Sequence, residues 1–257
     1  MQFGDVSVDL GRDHVAEVEI HRPPNNFFDA RLIRNIADAY EHLQEGTCRA
    51  IVLCSEGKHF CAGADFHGQS DADALPTDGA ADLYEEAVRL FRAELPVVAA
   101  VQGAAIGGGL GVACSADFRV GSSESRLAAN FSRLGFHQGF GLSVTLPYIV
   151  GNQASLDLLY TGRRVTGDEA HAMGLVDRLV PAADIRSAAR EQAAAIAGAG
   201  PLAVRSIRRT MRGHLADQIA GITSVEDAEQ KRLRSTSDFA EGTQASLERR
   251  EPNFTGQ

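Results

Sequence analysis

The chain has 257 residues, 44% of them hydrophobic and 23% charged, which suits one large core or a core with a small appendage. A formal charge of −9 argues against nonspecific binding to nucleic acid or an anionic membrane, while leaving room for a local basic pocket that holds a phosphate. No apolar run is long enough to span a bilayer; the longest, Leu95 to Ala105, is interrupted by Gln102 and Gly103.

The opening "MQFGDVSVDLGRDHV" lacks a basic start followed by an apolar core, so no signal peptide is expected. "VSVDL" and "VAEVEI" alternate apolar and polar residues around Gly11-Arg12-Asp13-His14, which predicts a β-hairpin. Pro23 and Pro24 end the second strand. Asp29 is placed to cap a helix with apolar positions Leu32, Ile33, Ile36, Ala39, Tyr40 and Leu43. "AIVLCS", Ala50 to Ser55, is a continuous apolar run of buried-strand type. A loop with "HFCAGADF", His59 to Phe66, follows, and then a polar, Asp-rich stretch over 68–80 that reads as mobile.

A helix is expected from about Ala81 to Glu94, then a buried strand in "PVVAAVQG". "QGAAIGGGLG", Gln102 to Gly111, leads into another helix, and "ADFRVGS" is a short strand. Beyond Gly135, segments 142–150, 153–160, 168–173, 185–198 and 201–213 read as helices, with "GLVDRLV" as a strand among them. Basic residues of the helical last fifty, such as Arg205, Arg212 and Lys231, read as a solvated face. Alternating strands and helices predict an α/β protein.

Cys48, Cys54, Cys61 and Cys114 form no CxxC pair, which excludes zinc-ribbon and thioredoxin-like readings and leaves no metal site to expect. Reduced thiols in a cytoplasm are expected, with Cys61 a small buried thiol.

The two small-residue stretches carry the functional signal. In "CAGAD" the chain turns at Gly63, and small side chains leave backbone N–H groups uncovered. Gly107 to Gly109 lie between a strand and a helix, and a helix N-terminus offers free N–H donors and the positive end of its dipole. One donor from each stretch, aimed at one point, makes an oxyanion hole. Close helix–strand packing through glycine is the other reading. A Walker loop would need Gly-Lys-Ser/Thr, which is missing, and Cys114 stands where a dinucleotide fingerprint counted from Gly109 needs glycine.

Together, Phe60-Cys61-Ala62-Gly63-Ala64-Asp65, Gly103-Ala104-Ala105-Ile106-Gly107-Gly108-Gly109, "ADFRVGS" and "LLYTGRRVTGDEAHAMGLVDRLVP" resemble the crotonase superfamily, the enoyl-CoA hydratase/isomerase family, over almost the whole chain. The resemblance implies a crotonase-like stack of ββα units over 1–200, continued by a helical region over 201–257 that forms a homotrimer or a hexamer of two trimers. It implies a coenzyme A thioester substrate with no further cofactor, and a thioester oxygen held by the N–H groups of Ala64 and Gly108. The CoA portion would lie along Ala62, Asp65, Phe66 and His67, with Arg22, Lys58 and C-terminal arginines as candidate phosphate partners, and Phe131 on the acyl wall.

Hydratases of this family use two glutamates. By the same resemblance their positions are Gly111 and Phe131 here, so ordinary hydration is not expected. Dehalogenases and dienoyl isomerases place an aspartate at the position of Gly139, and a family decarboxylase places a tyrosine at that of Gln138. His137 is a candidate acid or base and Gln138 a candidate for holding a carbonyl or water, each with an ordinary loop residue as its other reading. Glu85 and Glu86 are candidates from the flanking helix, or plain surface carboxylates. The expected function is acyl-CoA chemistry other than ordinary hydration; the alternative is a non-catalytic acyl-CoA-binding or assembly subunit.

Overall fold

The computed structural model describes the backbone of residues 1–65 and 79–257, and their side chains apart from those of 79–82. Phe66, His67 and most of the polar stretch at 68–80 lie outside the described residues.

The chain opens with β1 (Gln2–Phe3) and the expected hairpin of β2 (Val6–Leu10) and β3 (Val15–Ile20), in which Val8 pairs with Val18. Helix α1 (Ala30–Gln44) starts where the Asp29 carboxylate accepts a 2.8 Å hydrogen bond from the Leu32 N–H. β4 (Ala50–Ser55) then pairs with β3 in parallel. All six of its residues are buried. Ile51 and Leu53 enter a core shared with α1, while Ala50, Val52 and Cys54 enter a second core on the opposite face. Burial on both faces removes the polar alternation, which is why the sequence run is continuous.

Next come α2 (Gly79–Arg92), β5 (Val97–Ala100), β6 (Ala104–Ile106), α3 (Gly108–Ser115), β7 (Phe118–Gly121) and β8 (Arg126–Ala128). A 3₁₀ turn over Asn130–Leu134 leads to α4 (Leu142–Val150), α5 (Asn152–Thr161), β9 (Arg164–Thr166), α6 (Gly167–Ala172) and β10 (Arg178–Leu179). α7 (Ile185–Ala197) places Ala188, Ala189 and Ala193 in the second core. α8 (Pro201–Arg234) and α9 (Ser237–Glu248) complete the chain.

The main sheet has the order β1-β2-β3-β4-β5-β7-β10, antiparallel as far as β3 and parallel beyond it. A second sheet, β6-β8-β9, is not foreseen by the sequence reading. Its strands have three residues each, too few to show a period of two. "GLVDRLV" contributes only the two residues of β10. No described helix is long and apolar enough to cross a membrane.

α9 lies against the 3₁₀ turn. The Phe239 and Phe136 ring centroids are 5.1 Å apart, and a Cβ at Gly242 would stand 2.5 Å from the Leu134 carbonyl carbon. Gly242→Ala is therefore expected to destabilise the fold by about 1–3 kcal/mol, because a backbone neighbour yields less than a side chain. A shift of the urea midpoint measures this; an unchanged midpoint means that α9 does not pack so closely.

All four cysteines are buried thiols. Burial pushes Cys54 and Cys61 up to about 12 and Cys114 up to about 11, from an ordinary value of 9.0. The folded thiols keep their protons where unfolded ones lose them. Their contribution to stability is thus complete below pH 9 and lost as pH rises toward 12. Titration with an aromatic disulfide at mildly alkaline pH should find no rapidly reacting thiol in the folded protein and four after unfolding. Fast labelling of one thiol would contradict this packing.

Candidate active site

The loop after β4 is stitched directly to β6. The Cys61 N–H donates to the Ala104 carbonyl at 3.0 Å, and the Ile106 N–H donates to the Cys61 carbonyl at 3.1 Å. A Cβ at Gly109 would lie 2.2 Å from the Cys61 carbonyl oxygen, so only glycine lets α3 approach this loop. Gly63 has φ +101° and Gly107 φ +57°, conformations that suit glycine. The loop is also held from its other side, where the Ala62 N–H donates to the Asn25 carbonyl at 2.9 Å and the Phe28 N–H to the Gly63 carbonyl at 3.1 Å.

These contacts leave two amides over. The Gly107 N–H donates to the Ala128 carbonyl, but among the described residues neither Gly108 nor Ala64 gives its N–H to an acceptor. Both residues line one cavity of about 450 Å³. The α3 N-terminus opens into that cavity, so its partial positive charge points there too.

One wall is aromatic. Phe28 fills the space a Cβ at Gly108 would need, 2.2 Å from its Cζ, and lies edge-on to Phe140 with centroids 5.8 Å apart. Phe131 and Phe136 stack at 6.5 Å. Phe140 also occupies the space beside Gly111, where a Cβ would stand 2.7 Å from it.

The second sheet forms another wall. Its register sets Ile106, Ala128 and Arg164 side by side, with Ala104, Arg126 and Thr166 two residues along and on the same face. The opposite face, Ala105, Leu127 and Val165, is buried in the core. Arg126 and Arg164 therefore line the cavity, and Arg249, at the end of α9, joins them. No aspartate or glutamate is among the described residues that line it. In a chain of net charge −9 this is a pronounced local reversal.

Of the residues singled out in the sequence, Ala62, Ala64, Gly108 and Phe131 line the cavity, and Arg22, Lys58, Asp65, His137 and Gln138 are not among its lining. Arg22 pairs with Asp5 and Asp29 at 2.8 and 3.0 Å. Lys58 and Asp65 are exposed. His137 Nδ1 is 2.8 Å from the Gln138 carbonyl, and Gln138 Nε2 donates to Ser143 Oγ at 3.0 Å. Glu86 is buried in ion pairs with Arg34 and Arg89, and Glu85 is exposed. The buried Glu226 carboxylate caps α4, accepting from the Gly141 and Ser143 N–H groups at 2.9 and 3.1 Å.

Sequence reasoning passed over His59, Tyr84, Asn130, Arg126, Arg164 and Gln230, all of which line the cavity, and offered C-terminal arginines only as a group, of which Arg249 lines it. His59 Nδ1 accepts the Ala104 N–H at 3.1 Å, and burial together with the Lys58 charge lowers its pKa, so the ring is neutral at pH 7. Arg126 and Arg164 become visible in sequence only once β8 and β9 are known to be strands.

The sequence profile described as enoyl-CoA hydratase/isomerase matches residues 11–257. A Rhodobacter capsulatus protein named as a probable enoyl-CoA hydratase is 31% identical over 245 residues, covering 94% of this chain and 95% of that one. The carnitinyl-CoA dehydratase of Proteus mirabilis is 29% identical over 251 residues, covering 95% and 96%. Among solved structures, an enoyl-CoA hydratase/isomerase from Pseudoalteromonas atlantica superposes with a TM-score of 0.84 at 26% identity, covering 98% of this chain and all of that one. The profile match over nearly the full length, joined to the α/β architecture, makes the chain a member of the enoyl-CoA hydratase/isomerase family.

Proposed function

We propose that this enzyme binds an acyl-CoA thioester and stabilises negative charge on the thioester oxygen through the Ala64 and Gly108 N–H groups. The observation that carries the reading is the pair of amides without acceptors, from two separate glycine-bearing turns, that line the same cavity. Such donors act by being fixed before charge develops. Arg126, Arg164 and Arg249 supply a positive field that suits a substrate with phosphate groups and an enolate-like intermediate. No cofactor is required by this reading, because CoA arrives as part of the substrate.

The reaction is not ordinary hydration. Water attack on the β-carbon needs a group that holds and deprotonates the water, and the α-carbon then needs a proton. Gly111 and Phe131 stand where the resemblance puts the two glutamates of hydratases. Phe140 fills the space next to Gly111, so the change there is backed by repacking rather than left as a hole. His137 is disfavoured as the replacement, since it is not among the lining residues. The lack of a carboxylate among the described lining residues also favours the second reading, a binding subunit without turnover.

We further propose a homotrimer or hexamer in the cytoplasm. On α8, Ile207 and Met211 lie one turn apart and are 62% and 59% exposed, an apolar patch that a neighbouring subunit would cover.

Crotonyl-CoA hydration by the wild type is expected to lie orders of magnitude below that of a typical hydratase, each absent proton-transfer group costing roughly 10²–10⁴. Brisk hydration would overturn the argument. A screen of acyl-CoAs separates enzyme from binding subunit, since turnover of any member removes the latter. Gly108→Pro, which deletes one donor, should lower that turnover by about 10²–10³; unchanged turnover would remove Gly108 from the mechanism. Restoring hydration should need Gly111→Glu, Phe131→Glu and Phe140→Ala together, because Phe140 blocks the first change. Light scattering should give the mass of a trimer or hexamer; a monomer at micromolar concentration contradicts the assembly.

A further inference from the structure

Two polar side chains interrupt the apolar wall of the cavity. Tyr84 comes from α2 and Gln230 from α8. They are 7% and 5% exposed, and both line the cavity beside Leu83, Leu134, Phe136 and Phe140. A Cβ built at Gly139 would lie 2.5 Å from the Tyr84 hydroxyl oxygen and 2.5 Å from Gln230 Nε2. The two groups therefore converge on the space that glycine at 139 leaves open. Burying such groups costs free energy unless they find partners.

The protein supplies only part of those partners. Gln230 Nε2 donates to the His137 carbonyl at 3.0 Å, which anchors the amide and uses one of its two N–H donors. Among the described residues the Tyr84 phenol O–H donates to no acceptor, so its proton is left to give. Burial and the nearby Glu226 and Asp227 charges raise the Tyr84 pKa, so the group is a neutral phenol and a donor at physiological pH. Between them, the phenol O–H and the second N–H of Gln230 Nε2 are two donors, which match a hydroxyl oxygen with its two acceptor lone pairs.

The position connects to the Gly108 amide through a series of aromatic contacts. Phe28 packs on Gly108, Phe140 packs edge-on to Phe28, and Gly139 directly precedes Phe140.

We propose that Tyr84 and Gln230 form a specificity subsite for a hydroxyl oxygen on the acyl group, so that the substrate is an acyl-CoA with an oxygenated tail. The inference rests on the acyl-CoA reading of the cavity, and its test keeps the two apart. Phenylacetyl-CoA is compared with its para-hydroxy derivative, and hexanoyl-CoA with its ω-hydroxy derivative, by calorimetric titration of the assembled wild-type protein. The same titrations follow on Tyr84→Phe and Gln230→Met, two variants on different helices, with folding checked by circular dichroism.

The wild type should bind the hydroxylated member of at least one pair roughly tenfold more tightly, the usual worth of one added hydrogen bond. Tyr84→Phe should erase that preference while leaving affinity for the parent acyl-CoA within about threefold, since only an oxygen is removed. Equal wild-type affinity within both pairs overturns the subsite and leaves the acyl-CoA reading standing. So does a preference that survives in both variants. Binding of none of the four thioesters overturns the acyl-CoA reading, and the subsite with it.

Discussion

The carbonyl oxygen of Cys61 lies where a side chain at residue 109 would have to be. Much else in the site depends on this approach. It lets the loop after β4 add an isolated bridge to β6, Cys61 opposite Ala105, and so fixes that loop against the strand leading into α3. The α3 N-terminus and the Ala64 amide are then held beside one cavity largely by backbone geometry. Donors fixed in this way do not reorganise as charge appears, which is what makes backbone amides effective in such a role. A side chain at 109 would push the two segments apart and separate the donors.

The charge pattern follows a similar economy. Many of the acidic residues are engaged by arginine away from the cavity lining, as in the Arg89 cluster with Asp38, Glu41 and Glu86, or Arg190 with Asp13 and Glu17. The arginines of the cavity stand apart from such pairs. Arg126 donates to the Ser123 and Ser125 carbonyls at 2.9 Å, contacts that orient a guanidinium without cancelling its charge. Among the described lining residues there is no carboxylate to oppose these guanidinium charges, and a low-dielectric wall of phenylalanine strengthens their field. Proton transfer by a carboxylate and a positive pocket are competing designs, and the described lining residues follow the second.

The extent to which sequence revealed this differs by element. The hairpin, the Asp29 cap and the fully buried β4 were legible because each rests on a local rule: alternation, a capping side chain, burial on two faces. The glycine turns were legible because a positive φ or a close approach leaves few residues to choose from. The second sheet was not, since three-residue strands carry no measurable period, and with it Arg126 and Arg164 stayed hidden as cavity residues. His137 drew attention as a histidine in a glycine-rich segment, yet the fold sets its ring against the Gln138 carbonyl. Tyr84 and Gln230 come from helices far apart in sequence, and only tertiary packing brings them to Gly139.

Phe140 ties these features together. It has a positive φ of 60°, uncommon for a bulky residue, and that conformation turns its ring into the space beside Gly111. There it meets Phe28, which itself covers Gly108. The residue before it is the glycine on which Tyr84 and Gln230 converge, and the residue after it is Gly141, whose N–H is held by the buried Glu226 carboxylate. A side chain at 111 would have to displace Phe140, and the displaced ring would disturb both Phe28 and the Gly139–Gly141 turn. Small residues at 108, 111 and 139 and the aromatic ring at 140 therefore form one packing solution, in which no member changes independently of the others. An apolar acyl wall interrupted by one polar pair is the chemical consequence of that packing.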